Sequence, residues 1–269
     1  MSPAKFRHHI RRWYRQHGRH ELPWRKTRDP WAILVSEVML QQTQVSRVIP
    51  KYREFLAAFP TPSALDRAPL RQALALWQGM GYNRRALHLK RLAGIVTHEC
   101  DGRIPADPET LLRLPGIGPS TAGAVMAFAF TRHTVFAETN IRRVYLHFFF
   151  ARRRRVADAE VMAKIRETLP KRNIREWYWA LMDYGARAIK GAPNPNRKSA
   201  AWRRQPKFAG SRRELRGKVI AAVLKGEGKI RERALASRLG RSRREIANAV
   251  AALRNEGLVA IRGNRLAVP

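Results

Sequence analysis

One carboxylate, Glu37, lies in a stretch of sequence that is apolar on almost every side. Asp29 and Pro30 are typical of a helix start, and they predict a helix over residues 31–43. On this helix Glu37 shares a face with Ile33, Leu34, Leu40 and Gln41. Burial against apolar surface raises a carboxyl pKa, which would make Glu37 a proton donor near neutral pH. A solvated or hydrogen-bonded structural glutamate is the alternative.

A second segment, residues 111–125, has the form of a helix end, a glycine-containing turn and a new helix start. Gly116 and Gly118 let the backbone approach a phosphate closely, and amides at the start of the second helix can donate to the anion. The segment therefore predicts a helix-hairpin-helix that binds DNA backbone. A plain turn between two packed helices is the alternative.

The overall charge points to a polyanionic partner. The 269 residues include 54 Lys and Arg against 20 Asp and Glu, a formal net charge of +34. Like charges at this density repel one another and cost stability, so nucleic acid is the expected compensating partner. A generally basic composition without such a partner is the alternative.

Several classes of protein are excluded by what the sequence lacks. No stretch approaches the roughly 20 apolar residues of a membrane span, and residues 1–16 lack a signal peptide's apolar core. We therefore expect a soluble, cytoplasmic, nucleoid-associated protein that acts as a monomer. The single cysteine, Cys100, excludes an internal disulfide and a four-cysteine metal or iron–sulfur site. No metal and no cofactor are expected.

Helical periodicity dominates residues 4–190, without a convincing alternating strand. This range therefore predicts an all-α domain, 1–190. Gly, Pro and Asp residues predict short breaks at positions 23, 29–30, 60–62, 79–81, 101–102, 115–119 and 170.

The last third of the chain has a different composition. Residues 191–210 combine prolines with basic residues and contain no acid, which is typical of a linker. The domain expected after it, 211–269, shows helical patterns, a capping box from Ser242 to Glu245 and a terminal hairpin. The predicted helices cover 212–225, 231–239 and 242–256, and the predicted hairpin covers 257–268. That order predicts a small winged helix.

Four motifs together resemble the adenine-specific mismatch glycosylases of the helix-hairpin-helix class, the MutY family. They are LPWR at 22–25, SEVMLQQTQV at 36–45, WQGMGYNRRA at 77–86 and LPGIGPSTAGA at 114–124. Their order and spacing match the family, and the similarity covers about residues 10–190. The resemblance implies a two-lobed all-α fold that binds double-stranded DNA containing a mismatch or damaged base. It also implies that the target nucleotide is flipped from the stack into a pocket.

The resemblance assigns roles to individual residues. Glu37 matches the family glutamate that protonates the adenine ring and assists its departure. Gln42 and Tyr82 match residues that wedge into the base stack, with ordinary packing as the alternative. Trp24, in the first motif, falls in the base pocket.

The second carboxylate of the family, an aspartate, is replaced here. Within residues 136–144, Glu138 stands where an aspartate would stabilise the oxocarbenium-like sugar, and Asn140 keeps its family identity. Glutamate is one methylene longer, and a misplacement near 1 Å can cost on the order of 100-fold in rate. A salt bridge from Glu138 to Arg142 or Arg143 is the alternative.

Two further positions bear on the chemistry. Ser120 stands where strand-cleaving members of the class keep a lysine, and a serine cannot form a Schiff base. We therefore expect hydrolysis without strand cleavage. Trp179 replaces a polar residue of the family, which predicts weaker hydrogen-bond recognition of adenine and stronger stacking.

The C-terminal part also departs from the family. Residues 190–202 contain none of the four cysteines that commonly hold an iron–sulfur cluster. The segment is expected either to grip DNA backbone or to serve as a plain linker. Arg243 and Arg244 open the predicted recognition helix and are expected to contact DNA. A protein-binding role for the winged helix is the alternative.

The leading hypothesis is a monofunctional glycosylase that removes adenine opposite guanine or 8-oxoguanine. A glycosylase for thymine, uracil, hypoxanthine or a damaged purine is the second hypothesis, which Trp179 favours. A non-catalytic protein that binds DNA lesions or structures is the third, which Glu138 permits and Glu37 opposes.

Overall fold

A computed structural model describes residues 1–191, 193–200, 202–204, 207–226 and 230–269. This part of the chain is mostly helical. Its α-helices are α1 (Pro3–His17), α2 (Pro30–Leu40), α3 (Val45–Ala58), α4 (Pro62–Arg67), α5 (Leu70–Leu76), α6 (Arg84–Glu99), α7 (Pro108–Arg113), α8 (Pro119–Phe128), α9 (Thr139–Phe148), α10 (Asp158–Thr168), α11 (Ile174–Asp183), α12 (Arg212–Lys225), α13 (Glu232–Leu239) and α14 (Arg243–Asn255). Among the described residues, no helix combines the length and apolarity that crossing a membrane requires.

The chain forms two compact units, each assembled from separate stretches of sequence. The first unit comprises Met1–Glu37, Ala106–Arg113 and Ile117–Arg204. The second unit comprises Val38–Pro105, Leu114–Gly116 and Gln205–Pro269.

The first unit is organised around an aromatic core. Helix α1 begins at Ser2, whose hydroxyl accepts from the Lys5 amide, and it buries one apolar stripe of Phe6, Ile10 and Tyr14. The Phe6 ring meets Tyr145 and Trp177 edge-on, with ring centroids 5.4 and 5.7 Å apart. Such pairs contribute about 0.5–1.5 kcal/mol each beyond area burial. They fix α1 against α9 and α11.

The second unit has its own core and includes the C-terminal helices. Phe55 packs on Phe59 and Trp77 at centroid distances of 4.9 and 5.8 Å. Helix α12 packs on α5, where the Arg71 guanidinium donates to the Leu224 carbonyl over 2.7 Å. The C-terminal residues therefore share one compact unit with α3 to α6.

The C-terminal order predicted from the sequence is confirmed. Helices α12, α13 and α14 are followed by strands β1 (Ala260–Arg262) and β2 (Arg265–Ala267), which pair antiparallel with Ile261 opposite Leu266. The capping box also forms, since Ser242 accepts from the Glu245 amide and the Glu245 carboxylate accepts from the Ser242 amide. This arrangement is that of a winged helix.

Helix α2 is shorter than the sequence predicts. The predicted helix 31–43 ends at Leu40, so the prediction is wrong at its C-terminal end. The backbone of Gln42 is left-handed, with a φ of 55°, which no α-helix accommodates. The turn that follows brings Thr43 within hydrogen-bonding distance of the Met80 carbonyl, 3.4 Å away.

Part of the segment predicted as a linker packs against the first unit. A short 3₁₀ helix, Pro195–Lys198, buries Asn196, which donates to the Thr139 carbonyl over 3.2 Å. Val156 pairs with Ser199 in an isolated bridge. Within 191–210, residues 192, 201, 205 and 206 lie outside the described residues. The domain boundaries themselves stay a prediction.

Candidate active site

Glu37 is carried by α2, a helix whose residues are mostly buried. Helix α2 starts where the Asp29 carboxylate accepts from the amides of Trp31 and Ala32, both over 3.1 Å. Residues 31–36 are buried, whereas Glu37 keeps partial access to solvent. Burial raises the pKa of Glu37 to about 8, from an ordinary 4.5. The carboxyl group is therefore mostly protonated at neutral pH.

A second carboxyl group, Glu138, acts on Glu37 through its charge. Glu138 adds to the rise in the pKa of Glu37, whereas the Arg25 guanidinium opposes it. Burial also raises the pKa of Glu138, although amide hydrogen bonds oppose that rise. The charge of Glu138 therefore makes ionisation of Glu37 less favourable, in addition to the effect of burial.

Glu138 is fixed by the helix that it begins. It is the N-cap of α9, where its Oε1 accepts from the amides of Asn140 and Ile141 over 2.8 and 2.7 Å. Its Oε2 accepts from the Asn140 side chain over 3.2 Å. These bonds favour an ionised carboxylate in a defined position. The Asn140 side chain thus supports Glu138 directly.

The arginines expected to compete for Glu138 have other partners. Arg142 forms a salt bridge with Asp158 at 2.6 Å, and Arg143 donates to the Gly185 carbonyl over 2.9 Å. The salt-bridge alternative for Glu138 is therefore wrong in this structure.

Arg25, beside Glu37, belongs to a buried charge cluster that the sequence reasoning missed. Asp183 is fully buried and accepts from Arg25 over 2.7 and 2.9 Å and from the Arg19 side chain over 2.8 and 2.5 Å. Burial opposes ionisation of Asp183, but the hydrogen bonds and charges of the two arginines outweigh it and hold its pKa below the ordinary value. The cluster fixes Arg25 in place.

Two guanidinium groups lie close to the Trp179 ring. The ring is 5.4 Å from Cζ of Arg25 and 4.7 Å from Cζ of Arg175. Phe128 packs beside it at a centroid distance of 5.8 Å. Trp24, next to Arg25 in the chain, is buried. The surroundings of Trp179 are thus aromatic and cationic.

The hairpin predicted at 111–125 forms between α7 and α8. Gly116 has a φ of +82°, a left-handed backbone conformation that favours glycine. A Cβ at this position would also crowd the His88 side chain, only 3.0 Å away. Gly118 caps α8 in extended backbone with open space beside its Cα. Both glycines are exposed, so the backbone just before α8 lies at the surface, where a phosphate can approach it closely.

Ser120, in the first turn of α8, donates its hydroxyl to the Ala137 carbonyl over 2.8 Å. This bond ties α8 to the residue that precedes Glu138. The side chain therefore has a structural partner and supplies no amine.

Gln42 and Tyr82 both occupy left-handed backbone, with φ of 55° and 47°. Such conformations are uncommon outside glycine and cluster at functional turns. The two turns are joined by Arg85, a buried residue that the sequence reasoning missed.

Arg85 holds these turns through six hydrogen bonds. Its Nη1 donates to the carbonyls of residues 38, 39 and 41 over 2.6–2.9 Å, and its Nη2 donates to Thr43 Oγ1 and to the carbonyls of residues 80 and 81 over 2.9–3.1 Å. Burial lowers the pKa of Arg85 to about 10, which still leaves it charged at neutral pH. The sequence signal for a buried Arg85 was its spacing: it lies four positions before Leu89, on the apolar face of α6.

Arg243 and Arg244 lie exposed in the first turn of α14, as the sequence suggested. Their exposure leaves them accessible to a partner, and their position is that of a recognition-helix start.

Comparison with known proteins matches residues 35–171 to the family described as HhH-GPD superfamily base excision DNA repair protein. The adenine DNA glycosylase of Buchnera aphidicola subsp. Baizongia pistaciae is 35% identical over 198 residues, covering 73% of this chain and 56% of that protein. The adenine DNA glycosylase of Mycolicibacterium smegmatis is 36% identical over 226 residues, covering 77% of this chain and 76% of that protein.

Among solved structures, a thermostable thymine-DNA glycosylase superposes with a TM-score of 0.62 at 27% identity, covering 68% of this chain and 86% of that one. The sequence match extends over half of the chain, and the helical fold agrees with it. The chain therefore belongs to the HhH-GPD superfamily of base excision DNA repair proteins.

Proposed function

We propose that this protein is a monofunctional DNA glycosylase that hydrolyses the N-glycosidic bond of adenine mispaired with guanine or 8-oxoguanine. One observation carries the proposal: Glu37, with a pKa of about 8, sits in the field of a second carboxyl group, Glu138. A neutral acid and an anion held in one partly buried site are what cleavage of a glycosidic bond needs. The two curated relatives described above are named adenine DNA glycosylases.

The chemical step uses the two carboxyl groups in different roles. Glu37 gives its proton to a ring nitrogen of the base, and the bond from C1′ breaks with its electron pair leaving on the base. The Glu138 carboxylate stabilises the positive charge that develops on the sugar. Water adds to C1′, and its surplus proton passes to a carboxylate of the pair, which restores the acid. The products are a free base and an abasic site.

Ser120 supports hydrolysis without strand cleavage. Its hydroxyl is bonded to the Ala137 carbonyl, and a hydroxyl cannot form the imine that strand-cleaving members use. Water is therefore the nucleophile in the proposed reaction.

Several features support double-stranded DNA as the partner. The exposed hairpin glycines before α8 suit a phosphate, and the net charge of +34 suits a polyanion. Gln42 and Tyr82, held on strained turns, are proposed to wedge into the stack while Trp24 and Trp179 border the flipped base. Arg243 and Arg244 are proposed to bind backbone.

The test is a single-turnover excision assay on labelled duplexes that carry A, T, U or hypoxanthine opposite G, 8-oxoguanine or a normal partner. Alkali converts abasic sites into strand breaks. We expect excision of A opposite G or 8-oxoguanine, and we expect Glu37→Gln to abolish it while sparing binding. Glu54→Gln, at a side chain 49% exposed on α3, is the matched control. Tight binding without excision of any base would favour a non-catalytic binding protein.

A glycosylase for another base, such as thymine or uracil, is the second candidate, and Trp179 favours it. An indole with two guanidinium groups close to its ring offers stacking but few hydrogen bonds to adenine's edge. The solved structure described above is that of a thymine-DNA glycosylase. If this candidate holds, thymine or uracil leaves faster than adenine in the panel. Trp179→Gln, which restores a polar residue, then shifts the ratio of rates toward adenine.

A further inference from the structure

The second unit carries an exposed aromatic and basic cluster outside the carboxylate site. Arg213, in the first turn of α12, lies over the rings of Tyr82 and Phe208, with Cζ 5.5 and 5.9 Å from the centroids. Its guanidinium also donates to the Tyr82 hydroxyl. We name these three residues the stacking cluster. It joins the proposed wedge residue to the winged helix.

Phe208 is held in place although it is exposed. Its carbonyl accepts from the Ser211 amide over 3.0 Å, and Ser211 caps α12 by accepting from the Glu214 amide. The Glu214 carboxylate accepts from the amide of Gly210, whose φ of +73° favours glycine. The turn before α12 therefore presents Phe208 on a defined support.

The exposure of this cluster conflicts with a purely structural role. Phe208 is 59% exposed, although large aromatic side chains usually bury most of their surface, and Tyr82 beside Arg213 keeps 37% of its surface exposed. Two basic side chains are also exposed: Lys207, which precedes Phe208 in the sequence, and Arg212, which precedes Arg213. Flat apolar rings beside cations suit a partner with flat rings and negative charge.

We propose that the stacking cluster binds unstacked nucleotides of DNA, so that the winged helix takes part in holding the distorted duplex. This inference rests on the proposed function, because it places Tyr82 at the disrupted base step. Aromatic rings and guanidinium planes stack on any base, while neighbouring Lys and Arg residues bind the phosphates. The chain's charge of +34 supports a nucleic acid over an acidic peptide, which would not need aligned ring faces.

The test measures binding of the full chain to an A:G mismatch duplex and to a fully paired duplex of equal length, with 2-aminopurine beside the mismatch. Phe208→Ala should weaken mismatch binding by about 5- to 100-fold and reduce 2-aminopurine quenching, because one base–aromatic stack is lost. Phe208→Trp should retain both, and Arg213→Lys should retain charge but lose part of the quenching. Ile261→Ala, 41% exposed on β1, is the control and should match wild type.

Equal losses on both duplexes, or no loss with Phe208→Ala, would overturn the proposal. Unchanged DNA binding together with loss of a copurifying protein in Phe208→Ala would also overturn it, in favour of a protein partner. Excision by the wild type is scored on the same duplexes. If the wild type excises a base and Phe208→Ala binds DNA normally, only this inference fails. If the wild type excises no base, the proposed function fails, and the binding data still decide whether the stacking cluster binds DNA.

Discussion

Raising the pH through the pKa of Glu37 should remove the proton donor and slow excision. A carboxyl group with a pKa of about 8 is about nine-tenths protonated near pH 7 and about one-tenth protonated near pH 9. The active form is the protonated one, so activity is present below the pKa and lost above it. We therefore expect a plateau up to about pH 7 and a roughly tenfold fall in rate by about pH 9.

The assay is single-turnover excision with saturating enzyme, so that DNA binding does not limit the rate. A rate that falls tenfold per pH unit from about pH 5, without a plateau, would refute the reasoning, because an ordinary carboxyl group behaves in that way.

Two variants assign the cause of the shift. Glu138→Gln removes a charge that raises the pKa of Glu37, so the fall in excision rate at alkaline pH should begin at a lower pH. Burial should still keep the pKa of Glu37 above that of an ordinary carboxyl group. Glu138→Asp keeps both the charge and the helix cap, so its fall in rate should begin near the wild-type pH. A fall that begins at the wild-type pH in Glu138→Gln would mean that the two carboxyl groups act independently.

Three further predictions concern the supports of the site. Asp183→Asn leaves the buried Arg25 without its carboxylate and should lower the free energy of unfolding by about 3–5 kcal/mol in urea titrations; a loss under about 1 kcal/mol would contradict this. Arg85→Lys replaces four N–H groups that reach six acceptors by an ammonium with three N–H groups on a different geometry, and should cost about 2 kcal/mol or more in the same titration, with wild-type stability as the contrary result. Gly116→Ala should lower the free energy of unfolding by about 1–2 kcal/mol, because its backbone is left-handed. Gly118→Ala should lower it less but should weaken DNA binding, measured by fluorescence anisotropy. Equal losses of stability in the two variants would contradict this prediction.

Local signals explain what the sequence could predict. The helix starts at Asp29 and Ser242, the hairpin glycines and the terminal strand pair all depend on neighbours within a few residues. The sequence could therefore predict the helical first part of the chain and the winged helix that follows it. The family motifs identified Glu37 and Glu138 as the candidate catalytic acids.

Long-range partners explain what the sequence could not predict. Arg25 meets Asp183 across 158 positions of sequence, and Arg85 reaches carbonyls up to 47 positions away. The end of α2 at Leu40 follows from those contacts rather than from local propensity. The alternative of a salt bridge from Glu138 to Arg142 is wrong for the same reason, because Arg142 pairs with Asp158 instead.

The arrangement around Arg85 has a consequence for local motion. The Arg85 guanidinium donates to carbonyls of both the turn at Gln42 and the turn before α6. Opening either turn would therefore leave the same buried cation without some of its hydrogen-bond acceptors. The two turns therefore open as one cooperative unit, with hydrogen-exchange protection that rises and falls together. Two side chains proposed to enter the DNA stack would thus be released or locked in a single step.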